Sequence, residues 1–327
     1  MSVSVVRRYV VQSFRCLATP ALLKNSLTES CQFLADIFYI YEKYIGMRWQ
    51  GNRESSNVED RRGGGGRGMA VGGGIGGIII MLIYLFMGGD PNQVVNQLQQ
   101  GNQAQTERQA SPEEERLAQF TKVVLGLTET VWDSIYRSEN NRYEQPNLVL
   151  FTGQTQSEGC GAASSAMGPF YCPAERKVYI DLSFFNDLTH QFQAPGEFAM
   201  AYVIAHEVGH HLQTLNGTSQ KVHNARRRLS EKEYNKLSVK LELQADFLAG
   251  VWAYHANKLR NILEPGDLES ALAAANAIGD DRLQKQSKGF VVPDAFTHGT
   301  SEQRMYWFKR GFESGDLRLG NTFERIE

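Results

Sequence analysis

Apolar residues along this chain fall into one unbroken run and several periodic ones. Residues 69–89 carry no charge, and 75–87 are almost wholly apolar, including Ile78, Ile79, Ile80, Leu82, Ile83, Leu85 and Phe86. About 20 such residues suffice to cross a bilayer as a helix. A buried core helix fits the flanks less well: glycine and arginine precede the run, an Asn/Gln-rich stretch follows, and there is no amphipathic face. Beyond a polar linker at 90–110, Leu117, Phe120, Val124, Leu127, Val131 and Ile135 recur at helical spacing behind the cap Ser111-Pro112-Glu113-Glu114. Residues 148–152 and 177–181 read as short strands flanked by turn formers. A helix is expected over about 195–215, stopping at Asn216-Gly217, and a longer one behind the Ser230-x-x-Glu233 box. Residues 264–278 and 301–311 complete the set. The pattern predicts an α+β, mostly helical domain with a small sheet over 111–323, preceded by one transmembrane helix at 69–89.

Residues 47–68 are polar, with the glycine run 63–66, and are expected to be a disordered cytoplasmic segment. Ahead of them, Arg7, Arg8, Arg15 and Lys24 without an acid up to Leu27 match the composition of a transit peptide. The preferred reading makes 1–46 a non-native upstream extension, with the protein beginning at Met47.

Charge and cysteine narrow the picture. A net charge of −2 and a pI near 6.4 give no basic footprint for nucleic acid. Arg48, Arg53, Arg61, Arg62 and Arg67 precede the apolar run, whereas only Arg108 follows it closely. Positive charge stays inside, so this count predicts a cytoplasmic N-terminus and a periplasmic or extracellular domain at a bacterial inner membrane. Cys160 and Cys172 lie on the outer side of that arrangement, where they can form a disulfide. Gly72/Gly76 and Gly73/Gly77 have the spacing that brings two membrane helices together into a homo-oligomer, although plain low complexity explains them as well.

The chemistry sits in His206-Glu207-Val208-Gly209-His210 and, 32 positions later, Glu242-Leu243-Gln244-Ala245-Asp246. Histidines four apart project from one helix face and can share a tetrahedral zinc. Glu207 is one step round the helix, placed to act as a general base without ligating the metal. Glu242 and Asp246 are again four apart: one carboxylate can complete a His2Glu set, and the other can orient a ligand imidazole. One Zn2+ per chain is expected. His211 points about 100° away from His210 and is expected to be packed, while His190, His223 and His255 are read as surface or structural.

These residues resemble a gluzincin, a zinc peptidase whose third ligand is a glutamate on a later helix. More narrowly, 47–323 resembles a bacterial family of membrane-anchored neutral zinc metallopeptidases through 47–51, 168–173, 178–182, the two zinc motifs and 296–301. The resemblance implies a zincin-like fold. Relatives carry cysteines near Phe247 and Gly320, both absent here, so no second disulfide is expected. Thr297-His298-Gly299-Thr300-Ser301-Glu302-Gln303-Arg304 is similar to the T-H-P-x-x-x-x-R segment of one membrane-associated gluzincin group, with glycine replacing proline. That likeness makes His298 or Arg304 a candidate for stabilising the oxyanion, beside a helix-capping alternative. Val178, Tyr179 and Ile180 suit the edge strand on which zincins hold an extended peptide.

The leading function is hydrolysis of peptide bonds in extracytoplasmic proteins. The rivals are a zinc-holding, chaperone-like or scaffold protein of the envelope with little turnover, and hydrolysis of a non-peptide amide such as a cell-wall linkage. Fold alone does not separate them.

Overall fold

The computed structural model describes residues 46–62 and 110–323. The apolar run 69–89, the linker up to 109 and the extension 1–45 lie outside the described residues. Among those described, no helix is long and apolar enough to cross a membrane.

Helix α1 (Pro112–Ser138) starts as its sequence predicts: the Ser111 side chain accepts from the Glu114 N–H, and Pro112 occupies the first turn. The stripe from Leu117 to Val131 is buried. A four-stranded sheet follows the order β1 (Val58–Asp60), β2 (Asn147–Phe151), β6 (Lys177–Asp181), β5 (Phe170–Cys172). β1 and β6 both run parallel to β2, and β5 is antiparallel to β6. A separate hairpin joins β3 (Gln154–Ser157) to β4 (Gly161–Ser164). The Cys160–Cys172 disulfide ties that hairpin to the end of β5, as expected.

The helical layer contains α2 (Ser183–His190), α3 (Glu197–Leu215), α4 (Thr218–Ala225), α5 (Glu231–Arg260), α6 (Asp267–Ala277), α7 (Asp280–Lys288) and α8 (Ser301–Ser314). Capping boxes open α5 at Ser230/Glu233 and α8 at Thr300/Gln303. Three glycines set how closely the helices approach. A Cβ at Gly209 of α3 would sit 3.0 Å from the Ala245 carbonyl of α5. One at Gly250 would strike Phe308 of α8, and one at Gly311 would strike the Phe247 carbonyl of α5. Only hydrogen fits at these crossings, so α3, α5 and α8 close up and bring their polar side chains together. Phe247 also packs its ring onto Gly320, where a Cβ would collide with it.

Two expectations are corrected here. Residues 47–62 are a folded strap rather than a disordered segment. Met47 and Trp49 are buried, Trp49 meets Phe120 edge-on at 5.5 Å, and β1 joins the sheet. Buried Glu129 of α1 accepts from Arg53, Ser55 and Asn57 of the strap. The polar sequence misled because the strap is held by carboxylate partners and a few aromatic anchors, with no periodic apolar face. Val178, Tyr179 and Ile180 lie in β6, which is flanked on both sides and is not an edge. All three are fully buried. Apolar side chains at successive positions mark a strand covered on both faces, and the edge next to β6 is β5.

Candidate metal centre

α3 presents His206 and His210 on one face, and α5 brings Glu242 against them. Nε2 of His206 is 3.2 Å from one carboxylate oxygen of Glu242, and Nε2 of His210 is 3.4 Å from the other. The candidate ligand atoms of the three residues all lie within 4.8 Å of one another. Two imidazole nitrogens and a carboxylate oxygen converging on one point fit a zinc site with a position left for substrate. Burial alone would drive both imidazoles to lose their protons. The carboxylates win: Asp246 and Glu242 carry His206 up to about 9, and Glu242 raises His210. Burial works against the charge on Glu242 too, yet the imidazoles of His210 and His206 hold its carboxyl well below the usual range. A cation bound between these groups would compete with protons for the same imidazole nitrogens.

Each ligand nitrogen is aimed by a partner on its other side. His206 Nδ1 is 2.8 Å from Asp246, as the sequence predicts. Asp246 is fully buried and also accepts from Tyr202 Oη at 2.5 Å and from the Arg304 fork at 2.9 and 3.0 Å. Burial would raise this carboxyl, but Arg304 and His206 hold it down to about 2. His210 Nδ1 meets Gln213 Oε1 at 2.9 Å, and the Gln213 amide donates to the Leu241 carbonyl at 2.7 Å. Both imidazoles are thus fixed with Nδ1–H outward and Nε2 toward the metal position. Tyr202 and Gln213 are absent from the sequence-based site, although each lies at helical spacing (i−4 and i+3) from a ligand histidine.

Glu207 is buried in the wall of a cleft of about 830 Å³ that also holds the three candidate ligands. Burial raises its carboxyl, with the two histidines opposing. The His298 side chain is half exposed at the same cleft. Its loop wraps the Asp280 carboxylate: the backbone N–H groups of Thr297, His298 and Gly299 donate to one oxygen at 2.7, 2.5 and 3.0 Å. His298 Nδ1 is 3.2 Å from the other oxygen. Gly299 has φ +93°, which proline cannot adopt, so this loop departs locally from the T-H-P pattern. Both residues line the cleft, but Arg304 is buried and committed to Asp246, whereas the His298 side chain is half exposed there.

His211 is packed, as expected, and couples two parts of the site. Its Nε2–H donates to the Glu144 carbonyl at 2.7 Å, so Nδ1 accepts from Tyr171 Oη of β5 at 3.0 Å. Burial holds this imidazole down to about 4 from its ordinary 6.5. As pH falls the unfolded chain takes the proton first, so this contribution to stability is complete above about pH 6.5 and is lost toward pH 4. The full loss is on the order of 3 kcal/mol. A His211→Gln variant should flatten the pH dependence of the urea midpoint between about pH 7 and pH 5; an unchanged slope would place the acid sensitivity elsewhere. His255 is structural, donating to the Gly315 carbonyl at 2.9 Å, and His190 and His223 are exposed.

An α+β domain with this His-His-Glu cluster and an adjacent buried glutamate carries the donor set of a metal site. The chain belongs to the family described as "Putative neutral zinc metallopeptidase", whose model matches residues 47–323. It is 52% identical over 285 residues to "Uncharacterized protein YpfJ" of Escherichia coli K12, covering 85% of this chain and 99% of that one. It is also 40% identical over 205 residues to "Uncharacterized protein Rv2575" of Mycobacterium tuberculosis H37Rv, covering 60% of this chain and 68% of that one. No solved structure matches.

Proposed function

We propose that this chain is a zinc-dependent peptidase that cleaves extended segments of extracytoplasmic proteins. The observation that carries the reading is the buried Glu207 carboxylate in the same cleft as His206, His210 and Glu242, with both imidazoles oriented from behind. A zinc ion held by those three residues would polarise a scissile carbonyl and acidify a water. Glu207 takes the proton from that water and passes it to the leaving amine; its raised pKa suits both halves of the transfer. His298, steadied through Nδ1 by Asp280 and lining the same cleft, would supply its other nitrogen to the charge that develops on the carbonyl oxygen.

Substrate alignment falls to β5. Among the described residues it pairs with β6 along one side only, at Phe170↔Tyr179, Tyr171↔Val178 and Cys172↔Lys177. Its outer N–H and C=O groups can receive an extended peptide as a further strand, independent of side-chain sequence. Phe170 and Tyr171 line the cleft. The disulfide holds this strand at Cys172 and the His211 bond holds it at Tyr171, and the disulfide supports an oxidising location outside the cytoplasm.

The test is the full chain in detergent, incubated with a peptide library with and without chelator and read by mass spectrometry. Chelator-sensitive internal cleavage is expected. His298→Gln should lower kcat by about 10²-fold with little change in KM, as loss of one oxyanion donor does. Tight zinc binding and capture of unfolded protein without any cleavage would replace the enzyme by a scaffold.

A further inference from the structure

We infer that the cleft takes polypeptide segments rich in Asp and Glu, drawn in by a basic arm at 217–240, a charge preference that rests on the peptidase reading and deepens it. Residues 217–240 hold seven lysines and arginines against two acids, in a chain whose net charge is −2. Lys221, Arg226, Arg227 and Arg228 follow one another with no acid between them, and all four are exposed. The run is seated at the cleft. α4 packs against α3 and α5, with Val222 buried. Ser219, Val222 and His223 of α4 line the cleft, as does Tyr234 near the start of α5. The Arg226 guanidinium stands over the Tyr234 ring at 5.2 Å, a cation–π contact that holds it beside the cleft wall.

The fold does not engage these cations. Arg48, Arg53, Arg61, Arg62 and Arg116 each sit against a carboxylate. Within the arm, Lys232 pairs with Asp294, Lys240 reaches the Phe323 carbonyl, and Glu233 is occupied by the Ser230 cap. Among the described residues, Lys221, Arg226, Arg227 and Arg228 form no ion pair. Like charges crowded into one segment repel, and an anionic occupant of the cleft relieves that repulsion. The opposite side of the cleft differs. α2, which leads into the N-terminal end of α3, contributes Phe184, Phe192 and the Asp187 carboxylate, whereas α4 follows the C-terminal end.

The occupant is an acidic chain rather than an anionic lipid surface. A basic segment that lies on lipid carries large apolar side chains that insert beside its cations. Among the described residues, the exposed large hydrophobics stand at Met167, Leu259, 290–292, Tyr306 and Leu319, none of them in the arm. Its outer face is polar instead, with Gln220 donating to Asn224 at 2.8 Å. Phe170 and Tyr171 of β5 border the same cleft, where an extended chain can be aligned.

The experiment uses the full chain in nonionic detergent and fluorescein-labelled peptides with a common core of Ala, Leu and Phe, flanked by three Asp or by three Lys. Affinity is read by fluorescence anisotropy on the Glu207→Gln chain, and cleavage is read on the parent. The Asp-flanked peptide should bind about tenfold more tightly, the sum of several exposed charge pairs. The gap should close as salt is raised toward 1 M, where the Debye length is about 3 Å. Lys221→Glu, Arg227→Glu and Arg228→Glu together, all at exposed positions, should reverse the order of the two peptides with the thermal midpoint retained. Equal affinities in the parent arm, or a preference that the triple variant leaves unchanged, overturn the inference. Tighter binding of dihexanoylphosphatidylglycerol than of the Asp-flanked peptide also overturns it and gives the arm to a lipid surface. If the triple variant does not fold, the peptide comparison and the salt series decide alone. An Asp preference in binding without any cleavage removes the hydrolytic reading and leaves the arm standing; cleavage without a charge preference does the reverse.

Discussion

Glu207→Gln should retain zinc and lose peptide cleavage by roughly 10²-fold or more. The substitution keeps the side chain's size and nearly its shape in a position that is 8% exposed, so the cleft should not collapse. It removes only the ability to accept a proton. His206, His210 and Glu242 do not depend on Glu207 for orientation, because their fixing bonds run to Asp246, to Gln213 and among themselves. Zinc content by elemental analysis and cleavage of the best library peptide are the two measurements. Parental turnover in the variant would mean the base lies elsewhere. Loss of zinc would mean that Glu207 belongs among the ligands.

Arg304→Leu is expected to cost about 3–5 kcal/mol of stability, the range for removing one partner of a buried ion pair. Arg304 is 2% exposed, and Asp246 is fully buried. With the guanidinium gone, Asp246 keeps its charge in an apolar setting with only His206 and Tyr202 to answer it. The same loss should weaken zinc binding, since the carboxylate that aims His206 is no longer held. Asp246→Asn, which keeps the shape, should lower metal affinity or activity by about 10–100-fold. Urea unfolding and competition with a zinc-binding dye measure the two effects. A stable Arg304→Leu protein with unchanged zinc affinity would make the fork a bystander.

The metal centre was legible because its pieces are local. His206/His210 and Glu242/Asp246 repeat at one helical turn, and capping signals at Ser111, Ser230 and Thr300 located helices. Tyr202 and Gln213 could have been found by the same spacing. Asp280 could not: it reaches His298 through a loop whose conformation depends on Gly299. The short strands were hardest. β1 and β5 have three residues each, too few to show alternation, and the partner of β1 comes 90 positions later at Val58↔Leu148. Strand order, which decides that β5 rather than β6 is the edge, is a property of the whole sheet.

The Asp246–Arg304 pair also dictates when the centre can exist. His206, His210 and Glu242 leave the ribosome well before α8, which supplies the guanidinium from near the end of the 327-residue chain. At a synthesis rate of about 5–20 residues per second, Asp246 waits some 3–12 seconds for its partner. During that interval α5 lacks both the glycine-close packing of α8 and the guanidinium that holds Asp246 against His206. Chains that stop short of α8 therefore carry all three candidate ligands without the guanidinium that holds Asp246.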